Sequence, residues 1–262
     1  MPKKKKQSLL WRATKGTFLG VTKATAFLAK SAYKGIKKQK VKMNPVYKKP
    51  AIPQQLEIVK KISGDYDLTN QRFNEDSIIA LVFGKRGSGK SALGFRLLEN
   101  IHCQTKRPCY VLGVSETLLP KWIKSTESIN DVQNNSIVLV DEGAIAFGSR
   151  SSMTSKNKEL AGLLAIARHK NLSIIFITQN TGMLDKNILK LADILLIKEG
   201  SLLQLEMERK EIKKFYEKAK EAISDLKGEK RSYAYVLDND FEGVISHSLP
   251  SFWSTNLSKN RS

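Results

Sequence analysis

Eight residues constrain this chain more than any others: Gly84-Lys85-Arg86-Gly87-Ser88-Gly89-Lys90-Ser91. They satisfy the pattern G-x-x-x-x-G-K-[ST] at every fixed position. The flanks agree with it. Ser77 to Phe83 reads as a buried strand leading in. Ser91 to Ile101 reads as a helix leading out, with Leu93, Leu97, Leu98 and Ile101 on one face. Glycines at this spacing let successive backbone N–H groups converge on one concavity, and the following helix N-terminus adds partial positive charge. The stretch therefore reads as a phosphate cradle formed by Gly84, Lys85, Arg86, Gly87, Ser88, Gly89, Lys90 and Ser91. Lys90 can reach the β- and γ-phosphates, and the Ser91 hydroxyl can ligate Mg²⁺.

A second element lies about 50 residues on. Ile137-Val138-Leu139-Val140 is a continuous apolar run, as expected of a parallel strand covered on both faces. Asp141-Glu142 follow at its carboxyl end, where open α/β sheets bind ligands. Asp141 is placed to hold Mg²⁺, and Glu142 to act as general base on an attacking water. Leu172 to Thr178 reads as a further strand, capped by Gln179-Asn180; an amide there can orient water or sense a γ-phosphate. Nucleotide kinases need no such Glu, and no Arg-rich lid follows, so hydrolysis is favoured over transfer.

The chain has 262 residues, enough for one large domain with appendages. Its net charge of +20 is unevenly spread: residues 1–50 hold fifteen Lys or Arg and no Asp or Glu. The remainder carries 30 basic and 25 acidic residues, an ordinary balance. The first 50 residues thus read as a cationic arm. Phe18, Val21, Thr25, Leu28, Ala32 and Ile36 line one helical face of it and Lys23, Lys30, Lys34 and Lys37 the other. Such an arm can track nucleic-acid phosphates, lie on an anionic membrane, serve as a targeting signal, or be a solubilising tail; nucleic acid leads among the functional readings. No apolar run approaches the roughly 18 residues of a membrane span, and no secretory signal is evident. Cys103 and Cys109 have neither metal nor disulfide spacing. These features suit an intracellular chain, with virion or membrane association left open.

Coarse organisation follows from punctuation. Residues 51–75 read as a linker, with Gly64 to Glu75 a polar loop. The core runs from 76 to 250, and 251–262 is a tail. Cys109 to Val114 reads as the second strand, and Ser115 to Lys124 as a short helix broken by Pro120. Asn157 to Ala167, Met183 to Ala192 and Arg209 to Leu226 read as helices. Ile194 to Lys198 and Leu202 to Glu208 flank Gly200-Ser201 as a hairpin. Tyr233 to Leu237 reads as the last strand, and Phe241 to Trp253 as an irregular aromatic segment packed on the body. Strands alternate with helices, so the expected class is α/β with a mainly parallel sheet, flanking helices and an added C-terminal hairpin or strand.

Gly84 to Ser91, Ile137 to Glu142, and Ala167-Arg168-His169-Lys170-Asn171 running into Ile174-Ile175-Phe176-Ile177-Thr178-Gln179 resemble the FtsK–HerA superfamily of P-loop ATPases. The resemblance covers about residues 76–210. It is strongest to viral genome-packaging ATPases and to zonula occludens toxin-like ATPases of filamentous phages. It implies a RecA-like sheet whose Walker A and Walker B strands are separated by one strand in sequence. It implies ATP and Mg²⁺ as cofactors and a hexameric ring that moves double-stranded DNA. It also implies an arginine that completes the neighbouring subunit's site, for which Arg168 and Arg150 are the candidates and Arg168 is preferred. Toxin-like relatives begin near the phosphate loop and carry a span after the ATPase part. Here about 76 residues precede the core and no span follows, which favours packaging over export. The alternatives are a membrane-associated ATPase of virion assembly or extrusion, using the arm as anchor, and a nucleotide-binding regulatory protein with little turnover.

Overall fold

The computed structural model describes residues 44–75, 77–141, 162–183 and 186–259. Nine strands make one sheet: β1 (Glu57–Gly64), β2 (Ile79–Phe83), β3 (Cys109–Leu112), β4 (Ile123–Thr126), β5 (Ile137–Asp141), β6 (Ser173–Thr178), β7 (Ile194–Ile197), β8 (Tyr233–Leu237) and β9 (Phe241–Ser246). Their order is β1-β9-β8-β7-β2-β6-β5-β3-β4. From β7 to β4 every pairing is parallel, while β7·β8, β8·β9 and β9·β1 are antiparallel. The mainly parallel α/β sheet with an added C-terminal hairpin is therefore as expected.

The central strands are apolar throughout because helices and loops cover both faces. Successive residues from Ile78 through β2 alternate between the two cores: Ile79, Leu81 and Phe83 face one, Ile78, Ala80 and Val82 the other. On the first face lies a helix, Lys210–Ser224, which buries Ile212, Tyr216, Ala219 and Ile223 at helical spacing. Tyr216 meets Phe83 edge-to-face at 5.6 Å. On the second face lies the helix Lys90–Thr105, hereafter the loop helix. It is buried on its outer side as well, by Phe252 and Leu257 of the C-terminal segment and by Leu56. Phe95 and Phe252 meet edge-to-face at 5.7 Å.

Several local expectations are corrected. Two strands, β3 and β4, stand in sequence between the phosphate-loop strand and the Asp141 strand, not one. The residues read as a short helix before Lys124 form a 3-10 turn at Glu116–Leu118 and then β4; Pro120 has no N–H to sustain a helix. Leu202–Met207 is a helix rather than the second arm of a hairpin. Ser201 and Gln204 close a capping box there, and this local hydrogen bonding prevails over the turn signal of Gly200-Ser201. The stretch read as a linker contains β1 and the helix Tyr66–Glu75, anchored by Tyr66 packing on Phe241 at 5.1 Å. Phe241–Ser246 is regular strand β9, paired on both sides. It follows β8 across the short turn at 238–240 as the second arm of a hairpin, and its other partner, β1, is distant in sequence.

Candidate nucleotide site

The site forms at the carboxyl edge of the parallel strands. β2 ends at Phe83, and Gly84 opens the loop with φ +153°. A Cβ on Gly84 would lie 2.8 Å from Lys198 Cβ, so the loop root is pressed against the end of β7. Gly87 (φ +77°) and Gly89 (φ +88°) also hold positive φ, which is why the turn needs glycine there. Around Gly87 a Cβ would meet nothing within 4 Å, so this part of the loop faces open space.

The loop is held from within. Ser88 Oγ donates to Lys85 O at 2.8 Å. Lys90 Nζ donates to Gly84 O at 2.9 Å and to Lys85 O at 2.8 Å, so the ammonium lies inside the curve of the loop. Lys85 pairs with Glu199 at 2.8 Å, and its N–H donates to Glu199 O at 2.9 Å. This partner places Lys85 at the outer wall, against β7. Arg86 is exposed. Ser91 is buried in the first turn of the loop helix. Gly94, one turn on, allows that helix to settle on the sheet: a Cβ there would be 2.7 Å from Ile177 Cδ1 and 2.8 Å from Leu139 Cδ1.

The same edge carries Asp141 and Gln179. β6 lies between β2 and β5, with Phe83 opposite Thr178 and Asp141 opposite Ile177. The loop, the Thr178-Gln179 end and Asp141 therefore emerge side by side on three neighbouring strands. The Thr178 hydroxyl accepts from Asn180 N at 2.9 Å, turning the chain sharply after β6. Gln179 is exposed, and its carbonyl accepts from Gln204 Nε2 at 3.4 Å. Glu142 and Arg150 lie outside the described residues.

Arg168 is not part of this cluster. Residues 162–169 are helical and lead into the amino end of β6. Arg168 is exposed there, donating to Leu191 O at 3.3 Å. The strand separates it from Gln179 by about 17 Å at roughly 3.3 Å per residue. It therefore lies at the opposite edge of the sheet from the phosphate loop of its own chain.

Sequence reading missed Lys198, Arg231 and His247. Lys198 is fully buried at the end of β7, donating to Arg231 O at 2.7 Å and meeting His247 Nε2 at 2.9 Å. Burial, and then the nearby charge of Lys90, pushes its ammonium down to about 7. Burial, and then Lys198, lowers His247 to about 3. A signal for Lys198 did exist: it follows an apolar strand run just as Gly84 and Asp141 do. Nothing local marked Arg231 or His247.

Hard oxygen donors at Ser91 and Asp141 suit Mg²⁺, and Ser91 heads the helix that crosses β5 and β6. Bound there, the ion would neutralise charge on the terminal phosphates. Among the described residues no group of three or more His, Cys, Asp or Glu is placed to hold a metal ion. No described helix is long and apolar enough to cross a membrane.

Residues 94–221, just under half of the chain, match the family of the Zonular occludens toxin (Zot). The match starts inside the loop helix and takes in Asp141, Arg168 and Gln179. No curated protein matches the sequence. Among solved structures, the DNA-packaging ATPase B204 of Sulfolobus turreted icosahedral virus aligns at 17% identity and TM-score 0.43, over 64% of this chain and 97% of that one. The genome-packaging NTPase B204 of Sulfolobus turreted icosahedral virus 2, in complex with ATP-gammaS, aligns at 16% and 0.46, over 66% and 98%. The pCW3 conjugation coupling protein TcpA aligns at 12% and 0.46, over 81% and 71%. Overlaps of this extent assign no activity to this chain.

Proposed function

We propose that the chain is a P-loop ATPase similar to the Zot-like proteins, coupling ATP hydrolysis to the movement of double-stranded DNA in the packaging of a viral or mobile-element genome. The observation that carries the hydrolytic half is the strand order β2-β6-β5, which sets Lys90, Gln179 and Asp141 along one edge. In this reading the backbone from Gly84 to Ser91 cradles the phosphates and Lys90 neutralises them. Ser91 and Asp141 hold Mg²⁺. Glu142, next in the chain after Asp141, takes the proton of the attacking water, and Gln179 orients that water. Arg168, remote from its own loop, serves a neighbouring subunit in a ring of copies. The DNA half draws support from the acid-free, Lys-rich arm over residues 1–50, which can follow phosphates without reading sequence.

The test is phosphate release from ATP with Mg²⁺, with and without duplex DNA, at two salt concentrations. Stimulation that fades with salt is expected, and Glu142→Gln should lower the rate by about 10²–10⁴ while ATP still binds. A rate indifferent to DNA and unchanged in Glu142→Gln would sink the proposal. The arm also suits an anionic membrane, as in a virion-assembly ATPase. Flotation with anionic liposomes, compared between the full chain and one lacking residues 1–43, separates that use from DNA binding. Tight ATP binding without phosphate release would identify a regulatory binder instead.

A further inference from the structure

Arg231 stands against the phosphate loop from a remote part of the chain. It lies in the 3-10 turn Lys230–Ser232 just before β8. A Cβ on Gly89 would be 2.5 Å from Arg231 O and 3.6 Å from Arg231 Cβ, so the two backbones are in contact. The Arg231 carbonyl is further held by Lys198 Nζ at 2.7 Å. Its backbone is therefore fixed from below by a buried amine and from the side by the loop. The side chain, by contrast, is 73% exposed, its nearest anionic partner being Glu229 at 3.7 Å, itself 72% exposed. Such a solvated pair restrains the guanidinium little.

The direction in which a nucleotide must lie follows from the sheet. Asp141 and Gln179 stand on the β5–β6 side of the loop, so the terminal phosphate points there. The nucleoside end then leaves on the opposite side, toward β7 and β8. Gly89 is the last residue before the helix, and Arg231 borders it on that opposite side. We propose that Arg231 is a nucleotide-binding residue acting in its own chain, its guanidinium engaging the α-phosphate of the bound nucleotide. A planar fork with several donors suits a phosphate better than a lysine would, and a flexible stem allows it to close after the ligand enters. The proposal rests on the loop binding a nucleotide, and not on what the ATPase moves.

Truncating the side chain leaves the Arg231 carbonyl in place, so the contact with Gly89 and the hydrogen bond from Lys198 persist in Arg231→Ala. Calorimetric titration of the full chain with ADP is the test. Arg231→Ala should weaken ADP by about 10- to 100-fold, the range of one or two charge-assisted hydrogen bonds, with an unchanged melting temperature. Arg231→Lys should recover part of the loss. Arg231→Ala binding ADP as the parent does would overturn the proposal. So would Arg231→Phe binding as tightly as the parent, since an uncharged ring can only stack on the base. If the parent chain binds no ADP, the nucleotide reading itself falls with it. If the parent binds and Lys90→Ala does not, the loop reading stands and Arg231 is judged alone.

Discussion

Lys198 and His247 meet Nζ to Nε2 at 2.9 Å in the interior, against the root of the phosphate loop. The pair ties together three distant pieces of chain: the end of β7, the turn before β8 and the residue after β9. Neither group reads as an ion pair. Burial keeps His247 uncharged near neutrality and brings Lys198 to the middle of its titration there, so the contact is a hydrogen bond from the lysine nitrogen to a neutral imidazole.

This gives stability a particular dependence on pH. Lys198 titrates near 7 in the folded chain and at 10.5 ordinarily. Between those values the unfolded chain holds a proton that the folded chain lacks, so stability rises with pH. Below 7 both states are protonated and the burial cost is fully present. The expected slope from this one group is up to roughly 1.4 kcal/mol per pH unit. Urea titrations at pH 7, 8 and 9 should show that Lys198→Met flattens the profile by that amount; an identical slope in both chains would show that Lys198 does not titrate there.

Arg96 and Glu99 form an ion pair at 2.8 Å inside the loop helix, with side chains 2% and 0% exposed. Glu99 also accepts from Ile52 N and Ser251 N, each at 3.0 Å, while Arg96 donates to Ile52 O at 3.0 Å and to Leu249 O. The pair thereby clamps the segment before β1 and the segment after β9 onto that helix. Glu99→Ala leaves a buried guanidinium without its carboxylate and should cost about 3–5 kcal/mol. A fall in Tm of roughly 10 °C is expected by calorimetry; a fall of only a degree or two would mean that the pair contributes little.

Gly89 has φ +88° and no room for a side chain against Arg231 O. Gly89→Ala meets both a left-handed backbone cost of about 1–2 kcal/mol and a direct clash. Loss of ATP turnover together with reduced stability is expected. Full activity in this variant would mean that the loop does not need this geometry.

Arg168 lies at the amino edge of the sheet, away from the loop of its own chain. Arg168→Ala and Lys90→Ala should each be inactive alone, the former by about 10³–10⁵ if the arginine stabilises transition-state charge. Mixed, they should regain activity, because an intact loop can then pair with a neighbour's intact arginine. No recovery on mixing would remove Arg168 from that role.

The loop, its strand and helix, and the Asp141 and Thr178-Gln179 strand ends are legible in the amino-acid sequence. These depend on local requirements: glycine where φ is positive, apolar runs where a strand is covered twice, polar residues where the run stops. The parallel core is legible too, because helices alternate with strands. Which strands neighbour one another is set by the folded chain, since the insertion of β6 between β2 and β5 is a matter of long-range pairing. It alone revealed that Glu57–Gly64 and Phe241–Ser246 pair across the whole length of the chain. It alone brought Lys198, Arg231 and His247 to the loop. The phosphate loop thus gains a floor and a wall that its own eight residues do not specify. Those contacts join positions as distant in sequence as Gly89 and Arg231 or Gly84 and Lys198, and no local pattern encodes a contact between groups that only folding makes neighbours.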